Sequence, residues 1–199
     1  LLLATGLALA PPSDRARGAS STEVRLALFG FLAGVGLGNH LTLLAVAIPL
    51  LYWVWPAVGL RRLASPWMIG PFLLGIAIYA YLPIRAAQAP PVNWGDASTV
   101  GGFIWMLTAR PYQEYVFGVP AATLVSRLVS TLELTFSQFN PLGLFFGLMA
   151  VGALRSRAPR FFVAALAAMA LISIYAVMYN SVDFEVLMIP VFLLFSVCI

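Results

Sequence analysis

The chain has no lysine, one cysteine, one histidine and very little charge of either sign. Only 9% of its 199 residues are charged, whereas 62% are apolar. A water-soluble domain needs a charged surface, so this composition excludes an ordinary soluble fold. The single cysteine, Cys198, excludes a disulfide framework, and a lone histidine with no cysteine near it argues against a transition-metal site. The composition therefore indicates a chain whose solvent is lipid.

The basic residues are all arginines, and most of them lie in short segments between apolar runs. We interpret the net charge of +4 as membrane topology rather than nucleic-acid affinity, because the cytoplasmic loops of membrane proteins collect arginine. The segments assigned to the cytoplasm hold eight arginines and two acids, a charge of +6, and the outer segments hold three arginines and five acids, a charge of −2. The predicted path therefore obeys the positive-inside rule.

Long apolar runs predict an all-α, polytopic transmembrane helix bundle in which residues 1–199 are part of one domain. Residues 24–60 are too long for one straight span at about 1.5 Å per residue, so we predict a hairpin that turns at Gly38-Asn39-His40. Apolar runs reach both ends of the chain, and we expect it to be a fragment of a longer protein. The predicted spans are residues 1–10 (partial), 24–39, 41–60, 66–83, 141–154, 160–179 and 186–199 (partial).

Two further segments separate the span at 66–83 from the span at 141–154. Residues 84–120 form an outer, extracytoplasmic loop, in which 103–109 are predicted to be a short helix. Residues 121–139 are amphipathic, with arginine, serine and threonine on one face. Their apolar positions recur every fourth residue: Leu124, Leu128, Leu132 and Phe136. This pattern predicts a helix in the membrane interface with its apolar face in lipid.

Three glycines, Gly30, Gly34 and Gly38, recur at every fourth position of the first complete span. Small residues at this spacing are typical of helices that pack closely against a neighbour in a membrane. We therefore predict a tight helix contact on this face. Such a contact would present the following Asn39 and His40 on a rigid support.

Polar side chains collect on the predicted outer side of the membrane. A guanidinium fork suits phosphate, a histidine donates hydrogen bonds to phosphate or sugar hydroxyls, and a tryptophan beside a tight turn can stack on a sugar ring. We predict that these residues bind a phosphate or a sugar at the membrane surface. They are Asn39, His40, Arg85, Trp94, Asp96, Arg110, Tyr112, Asp183 and Glu185.

Most of these residues also have a structural interpretation, and Trp94 can be an anchor at the membrane interface. His40 can cap a helix turn, and Arg85 can extend its charge to the interface. Asp96 or Ser98 can cap the helix that starts near Thr99. Three more residues have capping alternatives at helix ends: Arg110 at a C-terminus, and Asp183 and Glu185 at the start of the last helix.

Three runs carry a resemblance to a known family: 36–42 (Gly-Leu-Gly-Asn-His-Leu-Thr), 81–88 (Tyr-Leu-Pro-Ile-Arg-Ala-Ala-Gln) and 90–96 (Pro-Pro-Val-Asn-Trp-Gly-Asp). Residues 103–105 followed by Tyr112, and 183–185 before Pro190, fit the same pattern less tightly. The chain resembles, over nearly its whole length, a family of polytopic membrane proteins related to the protein O-mannosyltransferases.

This resemblance implies a GT-C type glycosyltransferase fold and activity. Such an enzyme moves a sugar, here suggested to be mannose, from a polyprenyl-phosphate donor to a protein or glycan hydroxyl on the extracytoplasmic side. The acid proposed as its base lies in the first outer loop, upstream of this fragment, so no catalytic residue is assigned here. The implied partners are the lipid-linked sugar, the acceptor and membrane lipid, with no nucleic acid. No metal ligand is assigned and no cofactor is required, while a divalent metal stays an open question.

Two other functions stay open at this point. A transporter or flippase would place charges or broken helices near the bilayer midplane. The predicted spans carry no charge near the midplane, which argues against a transporter. Pro49, Pro56 and Pro71 can interrupt helices, however, so this alternative stays open. A non-catalytic membrane scaffold is the other alternative. Under each interpretation we expect a multi-pass integral membrane protein, of the bacterial inner membrane.

Overall fold

A computed structural model describes residues 19–199, and these residues are almost entirely helical, with no strand among them. The prediction of an all-α chain is confirmed, whereas the partial span at 1–10 lies outside the described residues. The α-helices are α1 (Ala19–Asn39), α2 (Leu44–Val58), α3 (Leu60–Leu63), α4 (Pro66–Ile76), α5 (Tyr81–Ala86), α6 (Val100–Leu107), α7 (Ala121–Arg157), α8 (Pro159–Met178) and α9 (Ile189–Cys198). Short 3₁₀ helices cover Leu41–Leu43, Ala77–Ala80, Trp94–Asp96, Arg110–Tyr115 and Phe184–Met188.

Within the described residues, four helical stretches are long and apolar enough to cross a membrane: Leu41–Val58, Leu60–Ala86, Ala121–Arg157 and Pro159–Met178. α1, predicted to span from residue 24, is not among the four, and it carries Glu23 and Arg25 near its start. The last segment is a shorter apolar helix. Many large apolar side chains on these helices are exposed, as is typical where the neighbour is lipid rather than water. These features indicate a multi-pass membrane protein.

The described residues form two compact units. The first comprises residues 19–47 and 54–113, and the second comprises 48–53 and 114–199. The first unit contains α1, both ends of α2 and most of the outer loop, whereas the middle of α2 belongs to the second unit. The second contains α7, α8 and α9.

The first unit is held together by a close contact between α1 and α4. A Cβ on Gly34 would overlap the Phe72 carbonyl oxygen and would lie 3.0 Å from the Cα of Gly75. One turn to either side, Gly30 meets the backbone of Met68 and Gly38 meets the side chain of Ile78. The partner residue numbers rise together, so α1 and α4 run parallel. The predicted tight glycine face is confirmed, and α4 is its partner.

In the second unit α7 is divided at Asn140, whose φ of 47° and ψ of 176° are not helical. The Asn140 side-chain oxygen accepts hydrogen bonds from the backbone N–H groups of Leu142 and Gly143, at 2.9 and 3.2 Å. Asparagine as an N-cap followed by proline at the first helical position starts a new helix. Pro141 supplies that proline, so the predicted division into 121–139 and 141 onward is confirmed.

The segment 121–139 is amphipathic, but its apolar side is exposed rather than buried, the opposite of a helix in a water-soluble protein. Its large apolar side chains are exposed: Val125, Leu128, Val129, Leu132 and Phe136. Part of its polar side turns toward the rest of the unit, where Arg127 and Thr131 are half-buried, whereas Ser126, Glu133 and Ser137 are exposed. Such an arrangement is unfavourable in water and favourable where the surrounding medium is apolar. The location of the segment at the membrane interface stays a prediction.

The last helix lies beside α7 within this unit. The Phe139 ring stacks edge-on against Phe195, with centroids 4.6 Å apart, and against Phe192 at 5.7 Å. A Cβ on Gly147 would overlap the Phe195 ring, so a small residue is required at that position. The predicted final span from residue 186 begins instead as a 3₁₀ turn before α9.

Replacing Gly34 with alanine tests the packing of α1 on α4. The new methyl group meets only backbone atoms, which cannot move without separating the helices, so we expect a loss of about 1–3 kcal/mol of stability. Gly70→Ala is the matched control, because its Cβ points into open space on α4 and alanine favours a helix by about 1 kcal/mol. Denaturation of both variants in detergent measures the difference. Equal stability of the two would contradict the close contact.

Candidate functional site

His40 lies in the turn that ends α1. Its Nδ1 accepts a hydrogen bond from the Thr42 backbone N–H at 3.3 Å and lies 2.7 Å from the Thr42 hydroxyl. His40 therefore caps the turn, as its structural interpretation predicted. An Nδ1 that accepts from a backbone N–H assigns the proton to Nε2. The exposed ring then offers Nε2–H as a donor to a ligand, so capping and ligand binding are compatible. Asn39, the last residue of α1, is also exposed.

The parallel helices α1 and α4 bring the end of α1, where His40 lies, beside the segment that leads to Arg85. The Tyr79 hydroxyl donates a 2.9 Å hydrogen bond to the Leu37 carbonyl, which has no partner within α1. The end of α1 thus lies beside the 3₁₀ turn that leads into α5. Arg85, in the last turn of α5, is exposed and donates from Nη1 to the Gln88 side chain at 2.8 Å. His40 and Arg85 therefore follow the same end of the helix pair.

The turn Trp94–Asp96 is fixed against α6. Gly95 has a φ of 68°, and a Cβ there would overlap the Trp105 ring. A Cβ on Gly102 would likewise overlap the backbone carbonyls of residues 95 and 96. The close approach holds the turn in place, while the Trp94 side chain stays 60% exposed and free to stack on a ligand.

Asp96 has a φ of 45° and an exposed carboxylate. Its Oδ1 accepts hydrogen bonds from the Ser98 hydroxyl at 2.5 Å and the Asn93 amide at 3.1 Å. These bonds, with Ser98 contributing most, lower the pKa of Asp96 below its ordinary value. Because both side-chain bonds fall on Oδ1, Oδ2 is available to a ligand.

The predicted cap of the following helix was wrong. Thr99, not Asp96 or Ser98, is the N-cap of α6, and its hydroxyl accepts from the Gly102 N–H at 3.0 Å. The helix starts at residue 100, which agrees with the start near Thr99 assumed for the cap and lies three residues before the predicted segment 103–109. The two glycines at 101 and 102, poor helix formers, obscured that start in the sequence.

Arg110 and Tyr112 begin the 3₁₀ helix after α6. Ala109, just before them, has a φ of 50°, which turns the chain sharply. Arg110 is exposed and lies two residues past Thr108, the C-cap of α6, so the structure does not display the capping alternative. Tyr112 is also exposed, and both side chains are accessible to a ligand.

Asp183 and Glu185 lie on either side of the buried Phe184 in the second unit. Asp183 precedes a 3₁₀ helix but makes no side-chain capping bond, so its predicted role as a cap was wrong. Glu185 lies in the first turn of that helix, where a negative charge is favourable. Both carboxylates are exposed.

Arg127 positions this acidic segment, a role that the sequence did not predict. Its Nη1 donates to the Tyr179 carbonyl and its Nη2 to the Ser181 carbonyl, each at 2.7 Å. Its guanidinium carbon also lies 4.6 Å from the centre of the Phe184 ring. The only signal in the sequence was an arginine on the polar face of an amphipathic helix. Its partners lie 52 and 54 residues further along the chain.

Further contacts fix the same end of the second unit. The Asn180 N–H donates to the Tyr115 carbonyl at 2.9 Å, and the rings of Tyr115 and Tyr179 lie 6.0 Å apart. Tyr175 stacks on Tyr179 at 5.2 Å. The segment that carries Asp183 is thus anchored from two sides.

The predicted donor-binding residues are brought together only in part. In the first unit, His40 and Arg85 follow one end of the α1–α4 pair. Among the described residues, no hydrogen bond or ion pair joins any two of the nine predicted side chains. Within this same part of the chain, no group of three His, Cys, Asp or Glu side chains could hold a metal ion.

Comparisons with known proteins return no match, whether among family models, curated proteins or solved structures.

Lowering the pH tests the Asp96 turn. The folded-state pKa is lowered, so the carboxylate stabilises the turn above its ordinary pKa of 3.8, and that contribution is lost as the pH falls through the lowered value. We expect the hydrogen-exchange protection factors of residues 93–102 to be constant between pH 7 and 5 and to fall below about pH 4. Asp96→Asn should lose this pH dependence. An identical acid response in both proteins would rule out the carboxylate as its source.

Replacing Arg127 tests the anchoring of the acidic segment. Arg127→Ala removes two charge-assisted hydrogen bonds, and we expect about 2–3 kcal/mol of destabilisation with faster proteolysis between residues 179 and 185. Arg157→Ala, at the exposed end of α7, is the control and should change neither the stability nor the rate of proteolysis. Unaltered cleavage of the Arg127 variant would show that the segment holds its conformation without this side chain.

Proposed function

We propose that this chain is part of a membrane glycosyltransferase of GT-C type. It would move a sugar, mannose being the one suggested by the resemblance, from a polyprenyl-phosphate donor to a protein or glycan hydroxyl on the extracytoplasmic side of the bacterial inner membrane. The observation that carries the proposal is the parallel pairing of α1 with α4. It supports a common anion site because His40 and Arg85 follow the same end of the pair and keep free donors.

The donor phosphate is the group that these two residues would hold. A polyprenyl chain lies among apolar helices, and its phosphate lies at the interface. Arg85 uses one of its five N–H groups on Gln88, which leaves a fork for phosphate oxygens. The Nε2–H of His40 would provide a further donor.

Transfer requires charge stabilisation at that phosphate. As the acceptor oxygen bonds to the anomeric carbon, the bond from that carbon to the phosphate oxygen breaks, and its electron pair leaves with the polyprenyl phosphate. Fixed donors aimed at the developing charge lower the barrier. The acceptor hydroxyl gives its proton to a general base, which we assign to none of the described residues.

The sugar would be held by the outer loop. Trp94 projects from a turn that is fixed on α6, so its ring can stack on the apolar face of a sugar. The free Oδ2 of Asp96 can accept a sugar hydroxyl. We assign three more exposed residues of the first unit to donor binding: Asn39, Arg110 and Tyr112. Asp183 and Glu185, in the second unit, stay predicted binding residues.

A flippase for a lipid-linked substrate is the second candidate, and one observation favours it. The stretch Leu60–Ala86 contains Pro71 and changes to a 3₁₀ helix at Ala77–Ala80. Interrupted helices at membrane depth are typical of transporter binding sites.

Arg85→Ala in the full-length protein tests the proposal. We expect sugar transfer from a labelled polyprenyl-phosphate donor in membrane vesicles to fall at least about 100-fold, because the leaving phosphate loses its main counter-charge. Arg61→Ala, an exposed arginine on the cytoplasmic side of the predicted topology, is the control and should retain full activity. Wild-type-like transfer by a well-expressed Arg85 variant would remove Arg85 from the site. Donor translocation without transfer would favour the flippase.

A further inference from the structure

A hydrogen bond from Tyr79 joins α1 to the segment that leads to Arg85. The Tyr79 hydroxyl donates to the Leu37 carbonyl at 2.9 Å, and the bond is partly buried. A phenol is costly to bury without a partner, and the carbonyls at a helix C-terminus have no partner in their own helix. This one bond satisfies both groups. It also connects residues that lie 42 positions apart in the chain.

The packing of α1 on α4 becomes less close toward the end where this bond lies. A Cβ on Gly34 would overlap the Phe72 carbonyl oxygen. A Cβ on Gly38 would overlap only the side chain of Ile78, and the nearest backbone atom, the Gly75 carbonyl oxygen, would be 4.0 Å away. Backbone packing therefore fixes the middle of the pair, whereas at its end the glycine meets a single exposed side chain. A directional hydrogen bond restricts the separation of the two segments there.

The Leu37 carbonyl is connected to the His40 ring through short local bonds. The His40 N–H donates to the Gly36 carbonyl at 2.9 Å, so His40 continues the last turn of α1. The His40 ring is in turn bonded to Thr42. A displacement of the last turn of α1 therefore carries the His40 ring with it.

On the other side of the bond, the chain from Tyr79 to Arg85 is helical without interruption. The 3₁₀ helix Ala77–Ala80 is followed directly by α5, which starts at Tyr81. The Tyr81 N–H bonds to two carbonyls of the 3₁₀ helix, so the two helices form one continuous segment. Arg85 therefore moves together with Tyr79.

We infer that Tyr79 is a positioning residue whose hydroxyl fixes the His40 turn relative to the helical segment that carries Arg85. The inference deepens the proposed function and rests on it for the ligand, which is the donor phosphate. Donors stabilise a leaving phosphate best when their positions are set before the charge develops. Tyr79 itself offers no donor to the phosphate, because its single hydroxyl proton is used on Leu37.

Spin labels on the two segments test the tether without an activity assay. Leu41→Cys and Ile84→Cys replace exposed side chains next to the two binding residues, so both positions can be labelled in a cysteine-free full-length protein in lipid vesicles. Electron paramagnetic resonance measures the distribution of distances between the labels. Tyr79→Phe keeps the ring and removes the hydrogen bond, so we expect a broader distribution than in the protein with Tyr79. Tyr52→Phe, at an exposed tyrosine of α2 whose hydroxyl makes no hydrogen bond within residues 19–199, is the matched control and should leave the distribution unchanged.

The kinetics of sugar transfer test whether the tether serves the phosphate site. For Tyr79→Phe we expect kcat to fall about 10-fold with little change in the KM for polyprenyl-phosphate mannose, because misplaced donors stabilise the leaving phosphate less. Tyr52→Phe should retain the wild-type kcat. In an Arg85→Ala background, Tyr79→Phe should cause no further loss, since two residues that act through one group are not additive.

The outcomes separate the inference from the proposed function. An unchanged distance distribution in Tyr79→Phe overturns the inference, whatever the value of kcat. A broader distribution with an unchanged kcat, or an undiminished loss of kcat in the Arg85→Ala background, overturns the positioning role while the proposed function stands. No transfer by the wild type overturns the proposed function, and a broader distribution in Tyr79→Phe would then still support Tyr79 as the tether between the two segments.

Discussion

The first unit depends on the contact between the backbones of Gly34 and Gly75. Two helices in lipid gain nothing from burying apolar surface against each other, because lipid tails are equally apolar, so they associate through close packing. With no side chain at either position, α1 and α4 approach to backbone distance and run parallel. That orientation brings Tyr79 to the free carbonyl at the end of α1. Because the helices are parallel, the segments that carry His40 and Arg85 leave the pair at the same end.

A second constraint is that polar groups in an apolar medium must find partners inside the protein. The hydroxyls of Thr131 and Thr135 each donate to a carbonyl one turn back in α7, at 2.8 and 2.7 Å. Arg127 satisfies two carbonyls that follow α8. The bonds of Arg127 hold its side of α7 toward the rest of the unit, whereas Leu128 and Leu132 are exposed. Glu133, an exposed acid on the same helix, has no such partner within residues 19–199.

The proposed binding groups share a physical arrangement. In His40, Arg85 and Asp96, one part of the side chain is bound locally, by Thr42, Gln88, and Ser98 with Asn93 respectively. All three side chains are exposed, and no side-chain hydrogen bond within residues 19–199 involves Nε2, Nη2 or Oδ2. A local bond restricts the orientation of the group before a ligand arrives, which reduces the entropy lost on binding. A structural role and a binding role are therefore not alternatives for these residues.

Composition and short-range patterns determined the helical membrane class, the tight glycine face and the break before Pro141. These features depend on residues within about one helical turn of each other, and a single sequence displays that spacing directly. The cap of α6 was misassigned because several side chains that can cap lie next to each other, and only the backbone conformation at Asp96 and Thr99 decides among them. The partner of the glycine face, the carbonyls held by Arg127 and the unpaired state of Glu133 were decided by tertiary structure. They involve segments tens of residues apart, whose proximity follows from helix packing and leaves no local pattern in the chain.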